Sequence, residues 1–110
     1  MQLYEKKCKP CEGGVPALSL EEATILMEQT PDWSLGEDFK SISRDFSFRD
    51  FKQAIEFINK VADIAEEENH HPDLNLHGYK KLTINLRTHA INGLSENDFI
   101  LAAKIDKLKG

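Results

Sequence analysis

Apolar residues recur at helical spacing from Phe51 through Ala54, Ile55, Ile58, Val61 and Ala62 to Ala65, and this run predicts the longest helix of the chain, opening at Arg49 or Asp50. On that reading Phe51, Ile55, Ile58 and Ala62 face a sheet, and Phe57, off the stripe, is an exposed contact residue. Before it, Ser19-Leu20-Glu21-Glu22 fits a capping box that starts a first helix reaching about Gln29, where Thr30-Pro31 stops it. Two strands follow, Trp33 to about Leu35 and Phe39 to Ser47, with Ile42, Arg44, Phe46 and Phe48 on one parity. Trp33 reads as core or as the floor of a ligand pocket. After the long helix, Leu74 and Leu76, then Leu82, Ile84 and Leu86, alternate with polar residues and predict a hairpin. Ser95, with Asp98 three residues on, caps a last helix to about Leu108, with Phe99, Leu101, Ala102, Ile105 and Leu108 inward.

The order α-β-β-α-β-β-α implies an α+β domain with a four-stranded antiparallel sheet and helices packed on one face. Residues 1–18 read as an irregular lead-in and 19–110 as the single domain, which suits a chain of 110 residues with 40% hydrophobic positions. Open sheet edges and the apolar helix favour a homodimer or homotetramer. A net charge of −5 argues against direct nucleic-acid binding. No apolar run is long enough for a membrane span, and the first residues lack the core of a secretory signal, so a cytoplasmic location is expected.

Candidate chemistry gathers between Glu66 and His89. Pro72 pushes His71 out of helical geometry, and a hairpin turning near Lys80 would set His71 opposite His89, with His70 beside them. Histidine is the side chain whose unperturbed pKa suits proton transfer at neutral pH. Glu66, one turn before His70, is placed to pair with it if the helix persists. His77, inside the hairpin, faces away from the group. Three histidines and a carboxylate could also bind zinc, although adjacent His70 and His71 would point apart. Cys8 and Cys11 form a C-x-x-C that could be a redox pair, half of a zinc site or a reduced loop, while Gly13, Gly14 and Pro16 forbid a regular helix after it.

Glu66-x3-His70-His71-Pro72, followed by Tyr79, His89 and Asp98, resembles the signature of the pterin-4a-carbinolamine dehydratases. Trp33, the segment from Phe46 to Phe51, Thr88-His89 and Gly93-Leu94-Ser95 extend the resemblance over about residues 19 to 108, and the C-x-x-C lead-in is similar to that of bacterial members. The resemblance implies dehydration of a 4a-hydroxytetrahydropterin to the quinonoid dihydropterin, recycling the pterin of aromatic amino acid hydroxylation, with no metal, nucleotide or other cofactor. It implies that His70 and His89 are the acid and base, that His71 binds and orients the pterin, that Glu66 holds His70, and that Pro72 and Thr88 contribute to the substrate site. It also leaves two other roles: a pterin-binding protein in a molybdopterin context, and a non-catalytic dimerisation or coactivator protein.

Overall fold

The computed structural model describes residues 2–9 and 16–109, so Cys11 and the two glycines after it lie outside the described residues. Helix α1 (Leu20–Met27) opens with the expected capping box: Ser19 Oγ accepts the Glu22 N–H at 3.1 Å and Glu22 Oε1 accepts the Ser19 N–H at 2.9 Å. Strands β1 (Ser34–Leu35) and β2 (Ile42–Ser47) precede α2 (Phe51–Glu68), whose N-cap is Asp50. Strands β3 (Asp73–His77) and β4 (Lys81–Leu86) lead to α3 (Glu96–Lys109). The sheet is antiparallel in the order β1-β2-β4-β3, which gives the α+β arrangement implied by the residue pattern.

One face of the sheet carries the core. Ile42 and Phe46 of β2 and Leu82, Ile84 and Leu86 of β4 are buried beneath α2 and α3, and the intervening residues form the polar outer face. Arg44 sits in the inward series, and α3 accounts for it: its guanidinium pairs with Asp106, which also accepts the Trp33 indole N–H at 2.8 Å. Trp33 is 2% exposed and belongs to the core rather than to a pocket floor.

The long helix is rotated from its expected setting. Ala54, Phe57, Val61 and Ala65 are buried, whereas Phe51 is 53% exposed and Ala62 lies in solvent. Phe57, expected as an exposed contact, instead meets Phe46 and Phe48 with ring centroids 5.1 and 5.2 Å away. The physical reason is that residues 54, 57, 61, 65 and 51, 55, 58, 62 both have helical spacing, and the first set places a large aromatic over Phe46 of β2 and Phe48 just beyond it. Burying that ring contributes about 2 kcal/mol, as burying Phe51 would, so the contacts with Phe46 and Phe48 decide the setting.

The last helix also departs from a simple stripe. Ile100 and Ala103 are buried along with the inward residues expected, because a short 3-10 turn, Leu3–Glu5, covers the other side of α3 and brings Leu3 to 1% exposure. Among the described residues, no helix is long and apolar enough to cross a membrane.

Candidate active site

The site begins where α2 stops. Asn69 is left-handed (φ 52°), a conformation asparagine tolerates, and the His70 N–H returns to the Ala65 carbonyl at 3.1 Å. This reversal lifts His70 off the helix surface, so Glu66 does not hold it. Glu66 Oε2 meets His71 Nε2 at 2.6 Å instead, and His70 Nε2 turns inward to Asp98 Oδ1 at 2.7 Å. The adjacent histidines therefore point to different partners, as their places around a helix exit suggest.

Asp98 organises the buried side of the site. Its side chain is 0% exposed and that of His70 is 11%. Asp98 Oδ2 accepts the Thr88 hydroxyl at 2.8 Å and the Ser95 N–H at 3.0 Å, and Ser95 Oγ lies 2.7 Å from Thr88 Oγ1. Because Thr88 gives its one proton to the carboxylate, Ser95 must donate to Thr88. The last helix thus keeps the expected Asp98-to-Ser95 backbone bond, but the Ser95 hydroxyl leaves the cap for Thr88. A carboxylate without its proton only accepts, so a neutral His70 facing it would turn Nε2–H toward Asp98 and carry its lone pair on Nδ1.

His89 arrives by a route other than strand opposition. Gly78 and Tyr79 are both left-handed, and His77 pairs with Lys81, so the hairpin centres on Tyr79, one residue before the turn expected at Lys80. Extending that register sets His71 opposite Arg87 rather than His89. His89 lies instead in a 3-10 turn, His89–Ile91, held by the pairing of Thr88 with Gly93. Gly93 is required there, because a Cβ would come 2.7 Å from that of Ala17. The Thr88 hydroxyl, which the resemblance sets beside the pterin ring, is spent on Asp98 and Ser95.

His70, His71, Thr88 and His89 all line one cleft of about 590 Å³, a size that suits a small-molecule ligand. Glu66, Pro72 and Tyr79 are not among its lining residues; His77 is exposed and bonds Thr83 at 3.2 Å, away from the group as expected. Among the described residues, no three His, Cys, Asp or Glu side chains converge as a set for a metal ion.

Cys8 and Lys9 of the lead-in also line the cleft. Burial, followed by the charge of Glu68, pushes the Cys8 thiol up to about 12, which keeps it protonated and a poor nucleophile at neutral pH. Glu68, buried at the end of α2, accepts the Cys8 N–H at 2.8 Å and sits 3.4 Å from Lys104 Nζ. Desolvation alone would raise its pKa, but that amide and the lysine together hold it below the usual carboxylate range. The residue pattern singles out Glu66 and does not mark Glu68 as a buried partner. The available signal was its spacing, since 61, 65 and 68 continue the buried stripe. Asn97, which binds Lys9, was missed as well, and nothing in the spacing marks it.

The family model described as pterin 4 alpha carbinolamine dehydratase matches residues 16–108. A protein of Halorhodospira halophila named for that dehydratase is 48% identical, over 98% of this chain and 98% of its own. Another so named, from Nitrosospira multiformis, is 53% identical over 96% of this chain and 91% of its own. The crystal structure of a transcriptional coactivator/pterin dehydratase from Brucella melitensis is similar at TM-score 0.80 and 30% identity, covering 86% of this chain and 99% of that one. A pterin dehydratase-like protein identified as a RuBisCO assembly factor in the alpha-carboxysome is similar at TM-score 0.61 and 25% identity, covering 72% and 90%.

Proposed function

The chain belongs to the pterin 4 alpha carbinolamine dehydratase family, a family of hydro-lyases, and from that membership we propose that it removes water from a 4a-hydroxytetrahydropterin by histidine acid-base catalysis. The observation that carries this reading is the meeting of His70, His71 and His89 on one cleft, with His70 held by a buried carboxylate. Dehydration breaks the C4a–O bond, whose hydroxide must be protonated as it leaves, and removes the N5 proton; the products are water and the quinonoid dihydropterin.

His70 is the base in this scheme. Its Nδ1 lone pair takes the N5 proton, and the buried carboxylate stabilises the imidazolium that forms. His89 is the acid that protonates the departing hydroxyl; it lies in solvent, where water can restore its proton. His71, steadied by Glu66, orients the pterin, and Thr88 acts by fixing Asp98. No metal or redox cofactor enters these steps. The biological setting that goes with the reaction is recycling of the pterin of an aromatic amino acid hydroxylase in the cytoplasm.

The experiment is the dehydration assay on the carbinolamine itself with protein treated with a chelator. Full activity is the expected result, because none of the steps uses an ion. Activity lost on chelation and restored by zinc would replace the histidine scheme with a metal one. A folded protein that does not accelerate the reaction would favour a non-catalytic role, such as the coactivator and assembly-factor roles for which the Brucella and carboxysome proteins are named.

Self-association belongs to the same reading. Phe51, Ile55 and Ala62 form an apolar stripe on the outer side of α2, and β3 leaves a sheet edge with Leu74 38% exposed. A homodimer or homotetramer covers these surfaces. Sedimentation should show smaller species for Phe51→Glu than for the wild type, since an unpaired carboxylate is costly to bury. A wild type that sediments as a monomer at micromolar concentration removes the proposal.

A further inference from the structure

A polar clamp ties the lead-in to the cleft wall. Asn97, 7% exposed, commits its amide to the backbone of Lys9: Oδ1 accepts the Lys9 N–H at 3.0 Å and Nδ2 donates to the Lys9 carbonyl at 2.6 Å. Glu68, 8% exposed, accepts the Cys8 N–H at 2.8 Å. Farther out, Lys6 Nζ meets Glu96 Oε2 at 2.9 Å. Buried polar side chains cost stability unless they are partnered. The fold therefore commits two of them to holding residues 8 and 9 in place, and that place is the cleft.

The clamp fixes the backbone of Lys9 at the cleft wall. Lys9 is exposed, lines the cleft and makes no ion pair among the described residues. Arg87 lines the same cleft. Its Nη2 donates to Asn92 Oδ1 and its Nε is buried without an acceptor, so the guanidinium is held in position, again with no carboxylate partner among the described residues. Two lining carboxylates oppose these cations, but Glu68 is matched by Lys104, which leaves Glu67 alone. The lining's two cations equal its two carboxylates in number, but neither Lys9 nor Arg87 is paired with a carboxylate among the described residues. The cleft, at about 590 Å³, also holds more than a two-ring heterocycle fills.

Resting on the dehydratase reading, we infer that the cleft takes pterins whose side chain carries an anion, a phosphate or a carboxylate, and that Lys9, with Arg87, selects for it. Lys9 is a specificity residue supplied from outside the histidine group.

The test is a set of binding titrations, followed by pterin fluorescence at low ionic strength, with hydroxymethylpterin, its phosphate ester and the pterin carboxylate substituted at the same ring carbon. The wild type should bind one or both anions about tenfold more tightly than the neutral compound, the scale of two solvent-facing charge pairs. Added salt should shrink the difference. In Lys9→Glu the ratio of anionic to neutral affinity should fall to about one or below; the residue is exposed, so folding is not at stake. A preference for phosphate over carboxylate would assign a phosphorylated side chain, and the reverse a folate-like one. Equal affinities in the wild type, or a preference that survives Lys9→Glu, overturn the inference and leave the dehydratase reading intact if the neutral carbinolamine is turned over. Failure to bind any pterin, with no turnover, overturns both.

Discussion

Alanine at His70 or at His89 is expected to lower carbinolamine turnover by about 100-fold or more, the usual size of a general acid or base contribution. The two losses have different companions. His89 is exposed in its 3-10 turn, so His89→Ala should keep the wild-type unfolding midpoint. His70→Ala leaves the wholly buried Asp98 without its imidazole, and its midpoint should fall while the protein still folds. His71, exposed beside Glu66, belongs to binding, so His71→Ala should raise KM more than it lowers kcat. Single-turnover kinetics with thermal melts on the three variants check all of this. Wild-type rates in His70→Ala and His89→Ala would remove both from the chemistry.

Asp98→Asn is expected to reduce turnover by at least about 100-fold although the side chain hardly changes shape, because the tautomer of His70 depends on an acceptor at that position. The carboxylate receives the His70 ring N–H, the Thr88 hydroxyl and the Ser95 N–H, three donors on two oxygens. An amide offers one oxygen. If that oxygen stays with Thr88 and Ser95, the amide N–H faces His70 Nε2, which must give up its proton, and Nδ1 becomes protonated and useless as a base. If the amide flips, two donors lose their acceptor in a buried site, which costs about 1–3 kcal/mol for each group left unpaired. Denaturant unfolding and the pH profile of kcat/KM separate the outcomes: lost activity at near-native stability indicates the tautomer change, and lost stability indicates the flip. A variant with wild-type rate and stability would show that Asp98 does not position His70.

The element order and much of the capping were legible from residue type and spacing. Ser19 with Glu22, Asp50 at the head of α2, and the alternation from Leu82 to Leu86 follow from backbone groups and side-chain periods that act within a few residues. The histidine group was legible as well, because a resemblance to known dehydratases joined residues that lie far apart in the chain.

Contacts across the fold were not legible. The long helix carries two apolar stripes, and only Phe46 and Phe48 decide that Phe57 turns inward while Phe51 is left outside. Glu66 stands four residues before His70 and five before His71, and the left-handed Asn69 decides that it reaches the second. Asn97 and Glu68 are ordinary polar residues in the sequence. They become the clamp on Cys8 and Lys9 because α2 and α3 bring them beneath a segment almost ninety residues away from Asn97. Local backbone geometry, set within a turn of helix or a pair of strands, could be read from the amino-acid order, and so could the presence of three histidines suited to proton transfer. Which partner each buried polar group finds depended on three-dimensional packing, because a desolvated donor or acceptor bonds whatever the fold places beside it, and sequence spacing does not record that neighbour.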